Sequence, residues 1–231
     1  MKYILFSIGI MISTLVSASS TEFGNGGNAM VCPNRTIAMY DVFEAEARYS
    51  MKPVFPQQRE ARDCTSPMNG QSDFCPTAGT ATAKTIVSRL KSIDPKVEGL
   101  LQAFIDSFWK EATLTYNDIL TVNDTGLGLI ARNCALKQLA IQHEPLFEED
   151  SRYFISRLMW ENMWPEDRAA LIVHEVLYRL ALQLNPDTNS SEKIRYFNAL
   201  LLSDKISKLS AEKYEDVKRK VFLPIRKPYS K

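Results

Sequence analysis

The clearest alternation of apolar and polar positions runs from Trp164 to Leu184 and predicts a long amphipathic helix. Pro165 suits the first helical turn, and Glu166 and Asp167 follow where the helix dipole favours acidic side chains. The helix should end before Pro186, because the residue preceding proline is pushed out of the helical region. At about 100° per residue, one face collects the apolar positions. These are Val173, Val176, Leu177, Leu180 and Leu184.

The polar residues of this helix fall on two further stripes. His174 and Tyr178 lie together at the border of the apolar face, and Asp167 lies one heptad before His174 on the same stripe. The opposite face carries Arg168, Glu175, Arg179 and Gln183. The simplest arrangement there is an ion pair between Glu175 and Arg179, which are four residues apart.

Shorter patterns predict a small sheet and several more helices. A β-hairpin is expected over residues 29–40, and Asp41 with Glu44 should form a capping box that opens a helix ending near residue 50. The remaining helices are expected at residues 82–93, 96–110, 192–203 and 204–221. Strands are expected at residues 112–123 and 134–142, and residues 153–163 fit either a strand or a helix. The fold class is therefore α+β, mostly helical, with a small antiparallel sheet packed on the central helix that carries His174 and Glu175.

The first 18 residues have the features of a secretory signal peptide. Lys2 gives a positive start, residues 4–16 are apolar, and small residues at 16–18 form a cleavage site. The apolar run is too short for a membrane span, and no other stretch is suited to cross a bilayer. We expect residues 19–231 to form a single domain exported to the periplasm or secreted.

Two segments of that domain differ in composition from the rest. Residues 51–80 contain four prolines and two glycines and form a loop insertion, which is either a lid or recognition loop or an insertion with no role of its own. Residues 222–231 form a basic tail with Arg226, Lys227 and Lys231. The tail is either a solvated end or a contact for an anionic polymer of the cell envelope.

Charge and cysteine content narrow the function further. The chain has 28 basic and 27 acidic residues, a balance that argues against a nucleic-acid partner. Four cysteines in an exported chain indicate two disulfides, for which three pairings exist. We expect Cys32–Cys134 and Cys64–Cys75. The sequence leaves the oligomeric state open, and an envelope protein or polymer is the expected class of partner.

The segment His174-Glu175-x-x-Tyr178 corresponds to His-Glu-x-x-His with its second histidine replaced. In the intact pattern the two imidazoles bind zinc and the glutamate activates water. A tyrosine, with a pKa of about 10, is a poor zinc ligand. Two alternatives follow. Either His174 and His143 bind zinc with a carboxylate and Glu175 acts as the base, or no cofactor is bound and His174 is hydrogen-bonded to a neighbour.

Three motifs of this chain resemble motifs shared by a group of uncharacterised exported bacterial proteins. They are Cys134-x-x-x-Gln138, His174-Glu175-x-x-Tyr178-Arg179 and Ser191-x-x-x-Arg195. The resemblance implies export and a shared site around His174. The order of elements, with strands before a His-Glu helix, also resembles a degenerate zincin. That likeness places the ligand positions at His174 and Tyr178 and the general base at Glu175.

The expected function is that of an exported cell-envelope protein of binding or structural type on a degenerate zincin-like scaffold. His174, Glu175, Tyr178 and Arg179 would form a polar network or ligand pocket, and Arg195 would bind a carboxylate in it bidentately. The alternative is a metal-dependent hydrolase, acting on peptide or cell wall, that uses His174 and Glu175. A serine hydrolase is disfavoured because the chain has no Gly-x-Ser-x-Gly motif.

Overall fold

A computed structural model describes residues 27–33, 36–56, 77–117, 119, 124–186, 188 and 190–222. The predicted signal peptide, the predicted Cys64–Cys75 disulfide and the tail beyond Phe222 lie outside the described residues. So does most of the insertion predicted at residues 51–80. No helix in the described ranges is long and apolar enough to cross a bilayer.

The protein is α+β, and about half of the described chain is helical. The helices are α1 (Tyr40–Ala47), α2 (Thr80–Val87), α3 (Pro95–Ser107), α4 (Arg157–Glu161), α5 (Pro165–Leu184), α6 (Glu192–Leu202) and α7 (Ala211–Phe222). The strands are β1 (Asn28–Val31), β2 (Ile37–Met39), β3 (Ala112–Thr115), β4 (Ala135–Gln138), β5 (Ala140–Gln142) and β6 (Tyr153–Ser156).

The strands form two three-stranded sheets. In the first, with order β2-β1-β4, both pairings are antiparallel, and Ala29 faces Met39 on one side and Lys137 on the other. In the second, with order β3-β6-β5, β5 is antiparallel to β6 but β3 is parallel to it. The antiparallel sheet expected from the sequence is therefore only part of the arrangement. The chain leaves β3 and returns to β6 through β4 and β5, a crossover long enough for parallel pairing.

Leu139 joins the two sheets and splits the strand predicted at residues 134–142. The amides of Leu139 and Ala140 both donate to the carbonyl of Gly27, over 2.9 and 3.1 Å. The carbonyl of Leu139 in turn accepts from the amide of Ser156 at 2.9 Å. The chain therefore changes its pairing partner from β1 to β6 at this residue.

Helix α5 is the centre of the fold, as its sequence pattern predicts. The helices α2, α3 and α6 pack against it, and β2 and α1 contact it as well. The polar face predicted opposite the apolar one is solvated only towards the end of the helix. Gln183 is exposed there, but Glu175 is fully buried and Arg168 is only 8% exposed. A helix buried on nearly all sides must pair its polar side chains internally, and this one does.

The predicted capping box at Asp41 is wrong. The helix begins two residues earlier than expected, at Tyr40, and its N-cap Met39 makes no side-chain cap. Asp41 and Glu44 are both fully buried and bind residues of α5 and α6 instead. Similarly, Ser191 stands at the N-cap of α6 but its hydroxyl donates to Asp124 rather than capping the helix.

Two boundaries in the last third of the chain also differ from expectation. Residues 153–163, left open between strand and helix, contain both: β6 is followed directly by α4, whose N-cap Ser156 accepts from the amide of Met159. The last helix starts at Ala211, because residues 206–208 form a separate 3-10 turn that ends at an extended Leu209.

The disulfide between Cys32 and Cys134 confirms one of the two predicted bridges. Its cysteines are 102 residues apart in sequence. They are the chain neighbours of Val31 and Ala135, which pair across β1 and β4. A bridge that closes a loop of this size stabilises the fold by roughly 4 kcal/mol in chain-entropy terms. It fastens the end of β1 to the start of β4.

Candidate functional site

Three ionisable side chains of α5 bind the beginning of the described chain. We call residues 27–33 and 36–47, which comprise β1, β2 and α1, the N-terminal unit. The three side chains are those of Asp167, His174 and Glu175, all buried. Seven or eight residues separate Asp167 from the other two, so all three project from one side of the helix, two turns apart. Oδ1 of Asp167 accepts a hydrogen bond from the amide of Met39 at 2.8 Å.

His174 forms an ion pair with Asp41 in the protein interior. Nδ1 of His174 lies 2.8 Å from Oδ2 of Asp41, and both residues are fully buried. Nδ2 of Asn198 donates to the same aspartate oxygen at 2.7 Å and to the carbonyl of Ala170 at 3.1 Å. One carboxylate therefore ties together α1, α5 and α6.

The pKa values of this pair move in opposite directions. Burial alone would lower the pKa of His174, but the charge and hydrogen bond of Asp41 outweigh it and raise the value to about 9. Burial alone would raise the pKa of Asp41, but the charge and hydrogen bond of His174 lower it. The pair is accordingly an imidazolium and a carboxylate at neutral pH. Nε2 of His174 is buried and has no hydrogen-bond partner among the described residues.

Both oxygens of Glu175 are occupied by the protein itself. Oε1 accepts from the amide of Gly27 at 2.6 Å, and Oε2 accepts from Nε2 of Gln142 at 2.6 Å. The same nitrogen of Gln142 also donates to the backbone carbonyl of Glu175, at 2.7 Å. Burial raises the pKa of Glu175. A general base must reach water or substrate, and this carboxylate is sealed between β1 and β5.

Tyr178 lies where the sequence places it, one turn from His174. The two rings are 6.4 Å apart and inclined by 27°, and Tyr178 is 1% exposed. Burial raises the pKa of the Tyr178 phenol well above its ordinary value. The phenol is therefore protonated at neutral pH.

His143 does not join His174. Its ring packs edge-on against Phe154, with centroids 5.1 Å apart, and its amide donates to the carbonyl of Arg152. Within the described ranges no three residues among His, Cys, Asp and Glu are grouped so as to hold a metal ion. With His174 bound to Asp41 and Glu175 bound on both oxygens, these side chains do not fit a zinc site.

Arg179 pairs with Glu111 and not with Glu175, so the predicted pair along the helix is wrong. Nη1 of Arg179 donates to Oε1 of Glu111 at 3.0 Å, and the guanidinium lies 4.2 Å from the centroid of the Phe104 ring. Arg152 donates to the other oxygen of Glu111 at 3.0 Å. The predicted pair fails because Glu175 turns towards the N-terminal unit.

Arg195, which was predicted to bind a carboxylate in a ligand pocket, binds carboxylates of the chain itself. Its Nε donates to Oε2 of Glu44 at 2.7 Å, and its Nη1 donates to Asp124 and, at 2.8 Å, to the hydroxyl of Ser191. Nη2 donates to the carbonyl of Thr125 at 2.9 Å. Arg195 is 1% exposed, so its donors are used within the protein.

Sequence reasoning missed Asp41, Gln142, Asn198 and Asp124 as members of this site. Asp41 has the spacing of a helix cap but caps no helix. Nothing local in the sequence distinguishes these residues, because their partners lie between 33 and 157 positions away.

An open pocket of about 580 Å³ lies beside the Arg195 cluster rather than at His174. It is lined by Arg48, Asp124, Gly126, Leu127, Gly128 and Leu129.

Comparisons with protein-family models, with curated proteins and with solved structures find no match to this chain. The geometry of the site therefore carries the functional argument alone.

Proposed function

We propose that the protein is an exported cell-envelope protein of binding or structural type, in which His174 and Glu175 position the N-terminal unit. The observation that carries the proposal is the occupation of the hydrogen-bonding atoms of Glu175. One of its oxygens accepts a hydrogen bond from the amide of Gly27 and the other accepts one from Gln142, and Glu175 is fully buried. A carboxylate bound in this way stabilises a fold and has no access to a substrate.

Export is supported by the oxidised state of two cysteines. The Cys32–Cys134 disulfide is compatible with an oxidising compartment, where such bridges persist. The leader pattern of residues 1–18 supports the same compartment from sequence. An envelope protein or polymer is the partner class that this location offers.

A degenerate zincin-like scaffold is part of the same proposal. It is supported by the position of the His-Glu helix at the centre of the fold and by strands that precede it in the chain. In this view Asp41 has taken the place of the zinc ion as the partner of His174. An imidazolium held by a buried carboxylate takes the place of a metal-bound imidazole.

Metal analysis combined with one substitution tests the proposal. Protein purified without chelator should contain no stoichiometric zinc, and Glu175→Gln should lower the free energy of unfolding. The amide of glutamine keeps one acceptor for Gly27 but turns a donor towards the donor of Gln142. A stoichiometric zinc ion, together with a peptidase or cell-wall hydrolase activity that Glu175→Gln abolishes at unchanged stability, would establish the hydrolase instead.

A further inference from the structure

The loop between β5 and β6 holds two large apolar side chains in solvent. Leu146 is 86% exposed and Phe147 is 70% exposed. The three residues that follow, Glu148, Glu149 and Asp150, are also exposed and acidic. We call residues 146–150 the acidic tip. Two adjacent bulky apolar side chains with this exposure indicate a contact that the described residues do not make.

The backbone of the acidic tip is fixed by one of its own side chains. Oδ2 of Asp150 accepts from the amides of both Leu146 and Phe147, each at 3.0 Å. The amide of Asp150 donates to the carbonyl of Phe147 at 3.1 Å. Asp150 therefore shapes the turn, and Glu148 and Glu149 remain exposed.

The base of the loop is clamped as well. The two terminal nitrogens of Arg152 donate to the two oxygens of Glu144, at 2.7 and 3.2 Å. The amide of His143 donates to the carbonyl of Arg152 at 2.8 Å, which closes the loop. Nε of Arg152 binds Glu111. A loop ordered in this way presents Leu146 and Phe147 without a further ordering cost on binding.

The chemistry of the tip defines the chemistry of its partner. Apolar side chains next to two exposed carboxylates suit a segment that interleaves apolar residues with lysine or arginine. They do not suit an anionic lipid surface, which would repel the carboxylates. The chain itself contains such a segment in residues 223–231, directly after α7. It combines Leu223, Ile225 and Tyr229 with Arg226, Lys227 and Lys231.

We propose that the acidic tip is the docking surface for residues 223–231 of this chain. Nine residues reach at most about 30 Å from Phe222 when extended, so the segment has the length to cross much of the domain surface. Leu146 and Phe147 supply the apolar contact, and Glu148 and Glu149 pair with the basic side chains. The proposal is independent of the role of His174 and of the proposed function.

Zero-length cross-linking of the full chain with a carbodiimide tests this docking. Mass spectrometry should find Lys227 or Lys231 joined to Glu148 or Glu149. Mixing isotopically heavy and light protein before the reaction shows whether the joined residues belong to one copy or to two. Links within one copy support docking, and links found only between copies overturn it. The double variant Leu146→Ser/Phe147→Ser keeps every carboxylate, and its cross-link yield should fall at least several-fold.

The matched control is Leu158→Ser, which removes a 65% exposed leucine on α4 and should leave the yield unchanged. Circular dichroism should show all of these surface variants folded. Absence of the cross-link overturns the proposal. So does a yield that the double variant leaves unchanged, because the carboxylates alone would then account for it. Equal linking to the exposed Glu212 and Glu215 of α7 overturns it too.

Discussion

The amide of Gly27 donates a hydrogen bond of 2.6 Å to the side chain of Glu175, across 148 positions of sequence. This contact places the first described residue of the chain against the centre of its longest helix. With the hydrogen bonds His174–Asp41 and Asp167–Met39, it makes three hydrogen bonds between side chains of α5 and the N-terminal unit. The His-Glu pair of this helix thus serves the assembly of the fold.

Substitution of Gly27 by alanine should destabilise the protein by about 1–3 kcal/mol. A Cβ at this position would lie 2.3 Å from Cδ1 of Leu171 and 2.7 Å from Cε of Met39, and both side chains are fully buried. The matched control is Gly99→Ala in α3, where a Cβ meets no atom within 4 Å. That substitution should stabilise the helix by roughly 0.5–1 kcal/mol. Denaturant unfolding of both variants measures the difference.

Removal of the imidazole by His174→Ala should cost about 3–5 kcal/mol, because it leaves the Asp41 carboxylate buried without its cation. The control His143→Ala removes the other histidine, which packs on Phe154 and pairs with no carboxylate in the described structure, and should cost much less. The two free energies of unfolding should be measured at pH 6. Equal losses would show that the buried pair contributes nothing of its own.

Stability should fall as the pH rises above about 6.5. The pKa of His174 is raised from an ordinary 6.5 to about 9 in the fold. Its contribution is therefore complete below pH 6.5 and is lost as the pH rises through 9. Burial raises the pKa of Asp167 to about 6, so its contribution is also lost with rising pH, from about 4 through 6.

The denaturation midpoint should be recorded between pH 5 and pH 9.5 for the native chain and for His174→Gln. The free energy of unfolding of the native chain should fall by a few kcal/mol over the upper half of this range. The free energy of the variant should change much less with pH there. Asp41 works in the opposite sense, because its lowered pKa adds stability above about pH 4. A variant with the same slope as the native chain would show that His174 is not the group that titrates.

Arg195→Lys should destabilise the protein by about 2–4 kcal/mol. Arg195 serves Glu44, Asp124, Ser191 and Thr125 at once, through three nitrogens in fixed directions. A lysine ammonium cannot reach these acceptors together, so at least one buried carboxylate loses its partner. The control is Arg219→Lys, whose 68% exposed side chain binds only Asp216 in the described structure. Its unfolding free energy should stay within about 0.5 kcal/mol of the native value.

The sequence predicts what depends on neighbouring residues. Pro165 and Asn185-Pro186 set the limits of α5, and the structure has the helix at Pro165–Leu184 as those signals indicate. The pairing of Cys32 with Cys134 was also predicted, as a bridge between the N-terminal segment and the middle of the chain, and the structure contains it. That His174 and Tyr178 are neighbours follows from their helical spacing alone.

What the sequence does not predict is the identity of long-range polar partners. Asp41 has the spacing of a helix cap, but it is fully buried and pairs with His174, 133 positions away. Glu175 has the spacing for a pair with Arg179, but the helix is buried on that side, and the amide of Gly27 is nearer. Leu139 shows the same limit for strands, because the switch of partner depends on Gly27 and Ser156.

Hydrogen–deuterium exchange of the Glu175→Ala variant tests the central claim most directly. If α5 holds the N-terminal unit through Glu175 and His174, amides of residues 27–33 and 36–47 should exchange at least tenfold faster than in the native chain. Amides of α2 and α3 should change little. Unchanged protection of the N-terminal unit would contradict the account and show that Glu175 does not hold it.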